Sequence, residues 1–150
     1  MSAVATEDTT LVMTRAFEAA PERVFDAWLS HDDFNAWIGP EGMSCEVPVF
    51  EPRVGGRYEV MMRMSSGQVV PVAGEFREIA RPTKLVFTWG WANDPARQSL
   101  ITLTFRAAGD KTEMTLRQEG LASVENREAH RIGWNSAFNK LARFVTAGRA

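Results

Sequence analysis

Two histidines and one cysteine, His31, His130 and Cys45, are the side chains of this 150-residue chain best suited to metal binding or nucleophilic chemistry. A zinc site needs several converging His, Cys or carboxylate ligands. His31 and His130 sit in separate polar helical segments without a partner at ligand spacing, so no metal, no cofactor and no catalytic residue is expected. Cys45 opens a stretch of alternating apolar residues and reads as a buried, inert thiol, because reactive thiols need an electropositive and accessible setting. No Gly-x-Ser-x-Gly elbow supports a hydrolase triad. Gly55-Gly56 is followed by no Gly-Lys-Ser/Thr and belongs to no G-x-G-x-x-G frame, so it reads as a tight turn and not as a phosphate loop.

A second group of polar side chains falls on strand-like stretches. Gln118 is in register with Met114 and Leu116, which lets it either project into a pocket or close a local hydrogen bond. Thr102 and Arg106 share the face opposite Ile101, Leu103 and Phe105, and Arg15 shares a face with Leu11, Met13 and Phe17. A cyclase could use such groups to hold and polarise a carbonyl. The plainer expectation is that the arginines lie at strand ends and reach water, since buried polar groups normally find partners without being catalytic.

The stronger signal is apolar. Phe34, Trp37 and Met43 lie near two short helices. Met62, Met64, Phe87, Trp89 and Trp91 come from strands, and Trp134 and Phe138 come from the last helix. Large, polarizable side chains of this kind line an adaptable pocket for apolar ligands, or they fill a core solid. These residues, together with Gln118, are the candidate ligand-binding set.

The elements that must carry them follow from periodicity. Leu11 to Phe17 reads as a first strand. Pro21 suits the first turn of a helix, and Val24, Phe25, Trp28 and Leu29 then share one helical face. Ser30 with Asp33 resembles a capping box opening a short helix whose apolar face is Phe34, Trp37 and Ile38, and Gly39-Pro40 stops it. Cys45 to Phe50 is a strand ending before Pro52. Tyr58, Val60, Met62 and Met64 form the inner face of the next, alternating with Arg57, Glu59, Met61 and Arg63. Ser65-Ser66-Gly67 turns into Val69 to Ile79, and Arg81-Pro82-Thr83 turns into a strand with Leu85, Phe87, Trp89 and Trp91 on one face. Asn93-Asp94-Pro95 is a loop. Leu100 to Phe105 and Met114 to Gln118 make a hairpin around Ala108-Gly109-Asp110. Short connections of this kind favour an antiparallel meander. About Val124 to Val145 carries the clearest helical stripe, Trp134, Phe138, Leu141 and Val145, flanked by Ala137 and Phe144, with Arg127, Glu128, Lys140 and Arg143 for the wet side.

The totals set the class. The chain is 45% hydrophobic and 24% charged, with a formal net charge of -2, an ordinary globular composition. No basic cluster recommends nucleic acid or an anionic membrane as partner. A single cysteine excludes an intramolecular disulfide. Glu7, Asp8 and Glu18 interrupt the first twenty residues and argue against a signal peptide, and no apolar run reaches membrane-span length. A cytoplasmic location is expected, with residues 1–9 as a flexible tail and 10–150 as one domain.

Several stretches together carry a family resemblance. Ala20-Pro21-Glu22-Arg23-Val24-Phe25-Asp26-Ala27-Trp28, Ala36-Trp37-Ile38-Gly39-Pro40 and Pro52-Arg53-Val54-Gly55-Gly56-Arg57-Tyr58 are similar to the Aha1-homology proteins, the family named for the activator of the Hsp90 ATPase. So are Gly74-Glu75-Phe76-Arg77-Glu78-Ile79, Leu85-Val86-Phe87-Thr88-Trp89 and Gly133-Trp134. The resemblance runs from about residue 10 to 146. It places the chain in the START-like, Bet v 1-like superfamily and implies an α+β helix-grip fold: six or seven curved antiparallel strands around a long C-terminal helix, with two short helices after the first strand. Superfamily members include binders of apolar ligands, cyclases and aromatases, and co-chaperone domains. A small hydrophobic molecule is the leading expected partner, cyclase or aromatase chemistry in the same cavity is the alternative, and a chaperone-interaction module is a third. Hsp90 itself is not an expected partner, because full activators carry a further N-terminal domain for which this chain has no room. A homodimer is compatible with such surfaces.

Overall fold

In the computed structural model, which describes residues 9–94 and 98–147, Leu11–Phe17 forms β1. The segment that follows is held helical by local signals. Pro21 occupies the first turn of α1 (Pro21–Leu29), where its missing N–H leaves no bond unmade. Val24, Phe25, Ala27 and Trp28 are its buried face. Ser30 caps α2 (His31–Trp37) by accepting from the Asp33 N–H at 3.4 Å. The capping box is only half made: the Ser30 N–H goes to the Asp26 carbonyl, and the Asp33 carboxylate pairs with Arg23 at 3.5 Å instead.

Six further strands follow: β2 (Ser44–Phe50), β3 (Arg57–Arg63), β4 (Val69–Ala80), β5 (Lys84–Trp91), β6 (Ser99–Ala108) and β7 (Lys111–Glu119), then α3 (Val124–Ala147). Among the described residues they make one seven-stranded antiparallel sheet in the order β1-β7-β6-β5-β4-β3-β2. This is the helix-grip layout, a curved sheet with α3 across its inner face. Each strand pairs with its neighbour in sequence except β1, which crosses to β7 and sets Leu11 opposite Gln118. Met64, expected on the β3 inner face, lies just past the end of that strand. Of the expected tail, residues 1–8 lie outside the described residues, whereas Thr9 is tied down, its carbonyl accepting from the Leu121 N–H at 3.0 Å.

The period-two pattern of β3, β6 and β7 puts Tyr58, Val60, Met62, Ile101, Leu103, Phe105, Met114 and Leu116 on the inner face, where α3 covers them with Trp134, Ala137, Phe138, Leu141 and Val145. Trp28 of α1 is the hub of the core, with ring centroids 4.6 Å from Trp37, 5.8 Å from Phe87, 6.0 Å from Trp134 and 6.2 Å from Phe138. Gly74 makes one close approach possible: a Cβ there would sit 1.9 Å from the Thr88 carbonyl oxygen and 2.6 Å from the Tyr58 hydroxyl. With no side chain in the way, the Tyr58 hydroxyl donates to the Thr88 carbonyl. Burial pushes this phenol well above its ordinary range, so it stays protonated and remains a donor.

Candidate functional site

The N-terminal half of α3 stands off the sheet and leaves a cavity of about 800 Å³. Its sheet wall comes from Met62 of β3, Val70 and Val72 of β4, and Trp89, Gly90 and Trp91 of β5. Asn126, Ala129, His130, Gly133, Trp134 and Ala137 of α3 face them. Ile38, Gly39 and Pro40 close one side, Gly120, Leu121 and Ala122 another, and Asp94, Gln98 and Ser99 complete the lining. No Lys or Arg is present among the described lining residues.

The space exists because small residues occupy α3 where larger ones would fill it. Ala129, Gly133 and Ala137 recur at four-residue spacing on one helical face. A Cβ at Gly133 would meet only the Pro40 Cγ, at 3.9 Å. Packing does not require glycine there, and glycine inside a helix costs roughly 0.5–1 kcal/mol relative to alanine.

The loop after α2 is fastened to α3 by polar contacts. Lys140 Nζ donates to the carbonyls of Ile38 and Gly39 at 3.1 and 3.2 Å, capping α2. Lys140 thus does not face water freely, as the helical pattern had implied, but closes the end of a neighbouring helix. The Glu41 N–H donates to the Ser136 hydroxyl at 2.7 Å. The Glu41 carboxylate accepts from Asn139 at 3.1 Å and Arg143 at 2.9 Å. These two hydrogen bonds hold the Glu41 carboxyl below its ordinary value, the Asn139 bond being the larger cause. This side of the cavity is therefore fixed in place.

Beneath the lining runs a buried polar relay. The Trp134 indole Nε1 donates to Gln118 Oε1 at 2.9 Å, Gln118 Nε2 donates to Ser99 Oγ at 2.8 Å, and the Ser99 hydroxyl donates to the Trp89 carbonyl at 2.7 Å. It links the helix wall to the sheet wall while the Trp89 and Trp134 rings pack with centroids 4.8 Å apart. Gln118 is fully buried and both ends of its carboxamide are engaged, which is the local hydrogen-bond role and not a projection into the pocket.

The side chains expected at a pocket divide by position. Met62, Trp89, Trp91 and Trp134 line the cavity, Trp91 with 52% of its surface exposed. Phe34, Trp37, Phe87 and Phe138 are buried in the aromatic core and absent from the lining, and Gln118 lies behind it. Met43 packs partly buried against that core, and Met64 is half-buried beyond β3. Gln98, Asn126, His130 and Gly133 line the cavity without having been singled out for it. Glycine inside a strong helical pattern was the one sequence signal among them.

The remaining polar candidates are also placed. Arg15 lies within β1 and reaches α3, donating to the Asn135 carbonyl at 3.4 Å, with its guanidinium 5.8 Å from the Phe17 ring centre. It is not a strand-end side chain in water. Arg106 is exposed and pairs with Glu113 at 2.9 Å. His31 Nε2 meets the Val47 carbonyl at 2.8 Å, while His130 Nδ1 meets the Asn126 carbonyl at 2.8 Å. Cys45 is half-buried, not buried, and desolvation pushes its thiol upward against an opposing pull from Lys140. No group of three or more His, Cys, Asp or Glu among the described residues could hold a metal ion. No described helix is long and apolar enough to cross a membrane.

Solved structures share this fold. A protein from Chromobacterium violaceum is 27% identical, with a TM-score of 0.84 over 91% of this chain and 96% of its own. A protein from Silicibacter pomeroyi, described as an AHSA1 protein, is 28% identical, with a TM-score of 0.80 over 92% and 98%. At 20% identity, a protein from Arthrobacter aurescens reaches a TM-score of 0.84 over 98% and 91% and shows the fold alone. No curated protein matches the chain. The model of the family described as activator of Hsp90 ATPase homolog 1-like protein matches residues 18–146, and the chain belongs to that family.

Proposed function

We propose that this protein binds a small, mainly apolar ligand in the cavity between α3 and strands β3 to β5. The observation that carries the reading is Gly133. A helix-interior glycine that packing does not demand costs stability, and its effect is to keep volume open beside Trp134 and opposite Met62 and Trp89. The cavity's size lies within the range of small-molecule sites, about 300–1,000 Å³, and its mix of apolar walls with a few polar groups is typical of them.

Gly133→Leu tests this directly, since it adds a side chain where the wall is open without asking the helix for an unusual conformation. Nile red, an apolar neutral dye, should bind the parent and bind Gly133→Leu at least about tenfold more weakly, equivalent to about 1.4 kcal/mol, while the unfolding midpoint does not fall. Native mass spectrometry of the purified parent should reveal a retained small molecule. Bare protein that also fails to bind the dye would remove the proposal. Stimulation of an Hsp90 ATPase by this chain, undiminished in Gly133→Leu, would point to the chaperone role instead.

A further inference from the structure

We infer that the cavity selects ligands carrying a hydroxyl, of the alcohol or phenol class, on an otherwise apolar body. The inference rests on the ligand-binding reading above and adds the chemistry at one end of the site.

Three side chains in the lining set that chemistry. Gln98 Oε1 is buried and has no hydrogen-bond partner. The orientation of its carboxamide follows from its other end: Nε2 faces the Trp91 carbonyl at 3.5 Å, and two acceptors would repel, so the oxygen is the end left over. His130 Nδ1 meets the Asn126 carbonyl, which can only accept. In the neutral ring Nδ1 therefore carries the hydrogen and Nε2 is an acceptor. Asn126 Oδ1 accepts from the Ala122 N–H at 3.2 Å, so its amide nitrogen is the donor end. Gly120, whose Cβ position would lie 3.9 Å from the Gln98 carbonyl, places the Gln98 segment beside the chain that leads into α3.

Two other side-chain donors of the walls are committed. Ser99 donates to Trp89 and Trp134 donates to Gln118. Toward a ligand, Gln98, His130 and Asn126 together offer two acceptors, Gln98 Oε1 and His130 Nε2, and one amide donor. A hydroxyl donates one hydrogen bond and accepts others, so it suits this set. An ether offers no donor and leaves the Gln98 oxygen unsatisfied, which a buried acceptor tolerates poorly. A carboxylate offers only acceptors and finds no Lys or Arg among the described lining residues.

Isothermal titration calorimetry with a naphthol and its methyl ether tests the assignment, because the two share an apolar body and differ in the donor. The parent should bind the naphthol about tenfold more tightly than the ether. Gln98→Leu should reduce that ratio at least about threefold by weakening the naphthol and not the ether. Gln98→Glu keeps an acceptor and should retain the preference, which separates a lost hydrogen bond from a disturbed loop. His130→Phe supplies the second arm. Equal affinity of the parent for both compounds, or a full preference in both Gln98→Leu and His130→Phe, overturns the inference while leaving the cavity's binding role intact. Binding of the ether alone overturns it too. If neither compound binds while Nile red does, this inference fails and the ligand-binding reading stands; bare protein that also binds neither Nile red nor these compounds removes both.

Discussion

Trp134 and Gln118, one from the long helix and one from the strand beside β1, are both buried and joined by a 2.9 Å hydrogen bond. The indole N–H would otherwise be an orphan donor in an aromatic core. Through Ser99 the same carboxamide holds the sheet opposite, so one polar side chain sets how far the two walls of the cavity stand apart.

Gln118→Leu conserves much of the volume and removes both bonds. The stranded Trp134 N–H should cost about 1–3 kcal/mol, the penalty of an unmade buried bond. Urea unfolding of parent and variant measures it. A change smaller than about 0.5 kcal/mol would mean that the relay is replaced without loss.

Gly133 and Gly39 should respond oppositely to alanine. Gly133 has helical geometry and open space, so Gly133→Ala should stabilise by about 0.5–1 kcal/mol. Gly39 has φ +87, and its Cβ would fall 2.4 Å from Cys45 Sγ. Gly39→Ala should therefore destabilise by more than about 1 kcal/mol. Thermal and denaturant midpoints of the pair decide it, and two changes of the same sign would contradict the account.

Glu41 should contribute to acid sensitivity. Its carboxyl is held below the ordinary 4.5 by bonds from Asn139 and Arg143. A lowered folded-state value gives stability that is present above the unfolded-state value and is lost as pH falls through the folded-state one. The Glu41→Gln variant should accordingly show a shallower loss of stability on the acid side of the ordinary Glu range. Denaturant midpoints measured down that range, for parent and variant, should converge as the pH drops. Parallel curves would rule the contribution out.

Cys45 should alkylate slowly. Burial raises its thiol and so lowers the thiolate fraction, which is the reactive form. Iodoacetamide labelling of native protein should run well behind that of urea-unfolded protein. Equal rates would show that the half-buried thiol is open to solvent.

The strand register was legible because its cause is local. Tyr58, Val60 and Met62 alternate with Arg57, Glu59, Met61 and Arg63, and that mostly polar alternation decides which face of β3 is wet. The α3 stripe was legible for the same reason. Cavity membership was not. Phe87 and Trp89 share one face of β5 and similar burial, yet Phe87 is covered by Trp28 at 5.8 Å while Trp89 meets Trp134 beside open space. The difference arises from a helix some sixty residues earlier in the chain, which no local pattern encodes. His130 and Gln98 gave no signal either, because a polar side chain in a polar segment looks the same whether it faces solvent or a void. Lys140 likewise read as solvated until the carbonyls of Ile38 and Gly39 came within its reach.

The pairing of β1 with β7 also governs how the molecule comes into being. β2 to β7 assemble by neighbouring turns, but Leu11 finds Gln118 only after the whole intervening chain has been gathered. Closing so long a loop is a modest entropic cost in equilibrium terms, yet non-local pairing of this kind slows folding. The edge of β7 must therefore wait for β1 to return, and until it does that edge is open to strands of other chains.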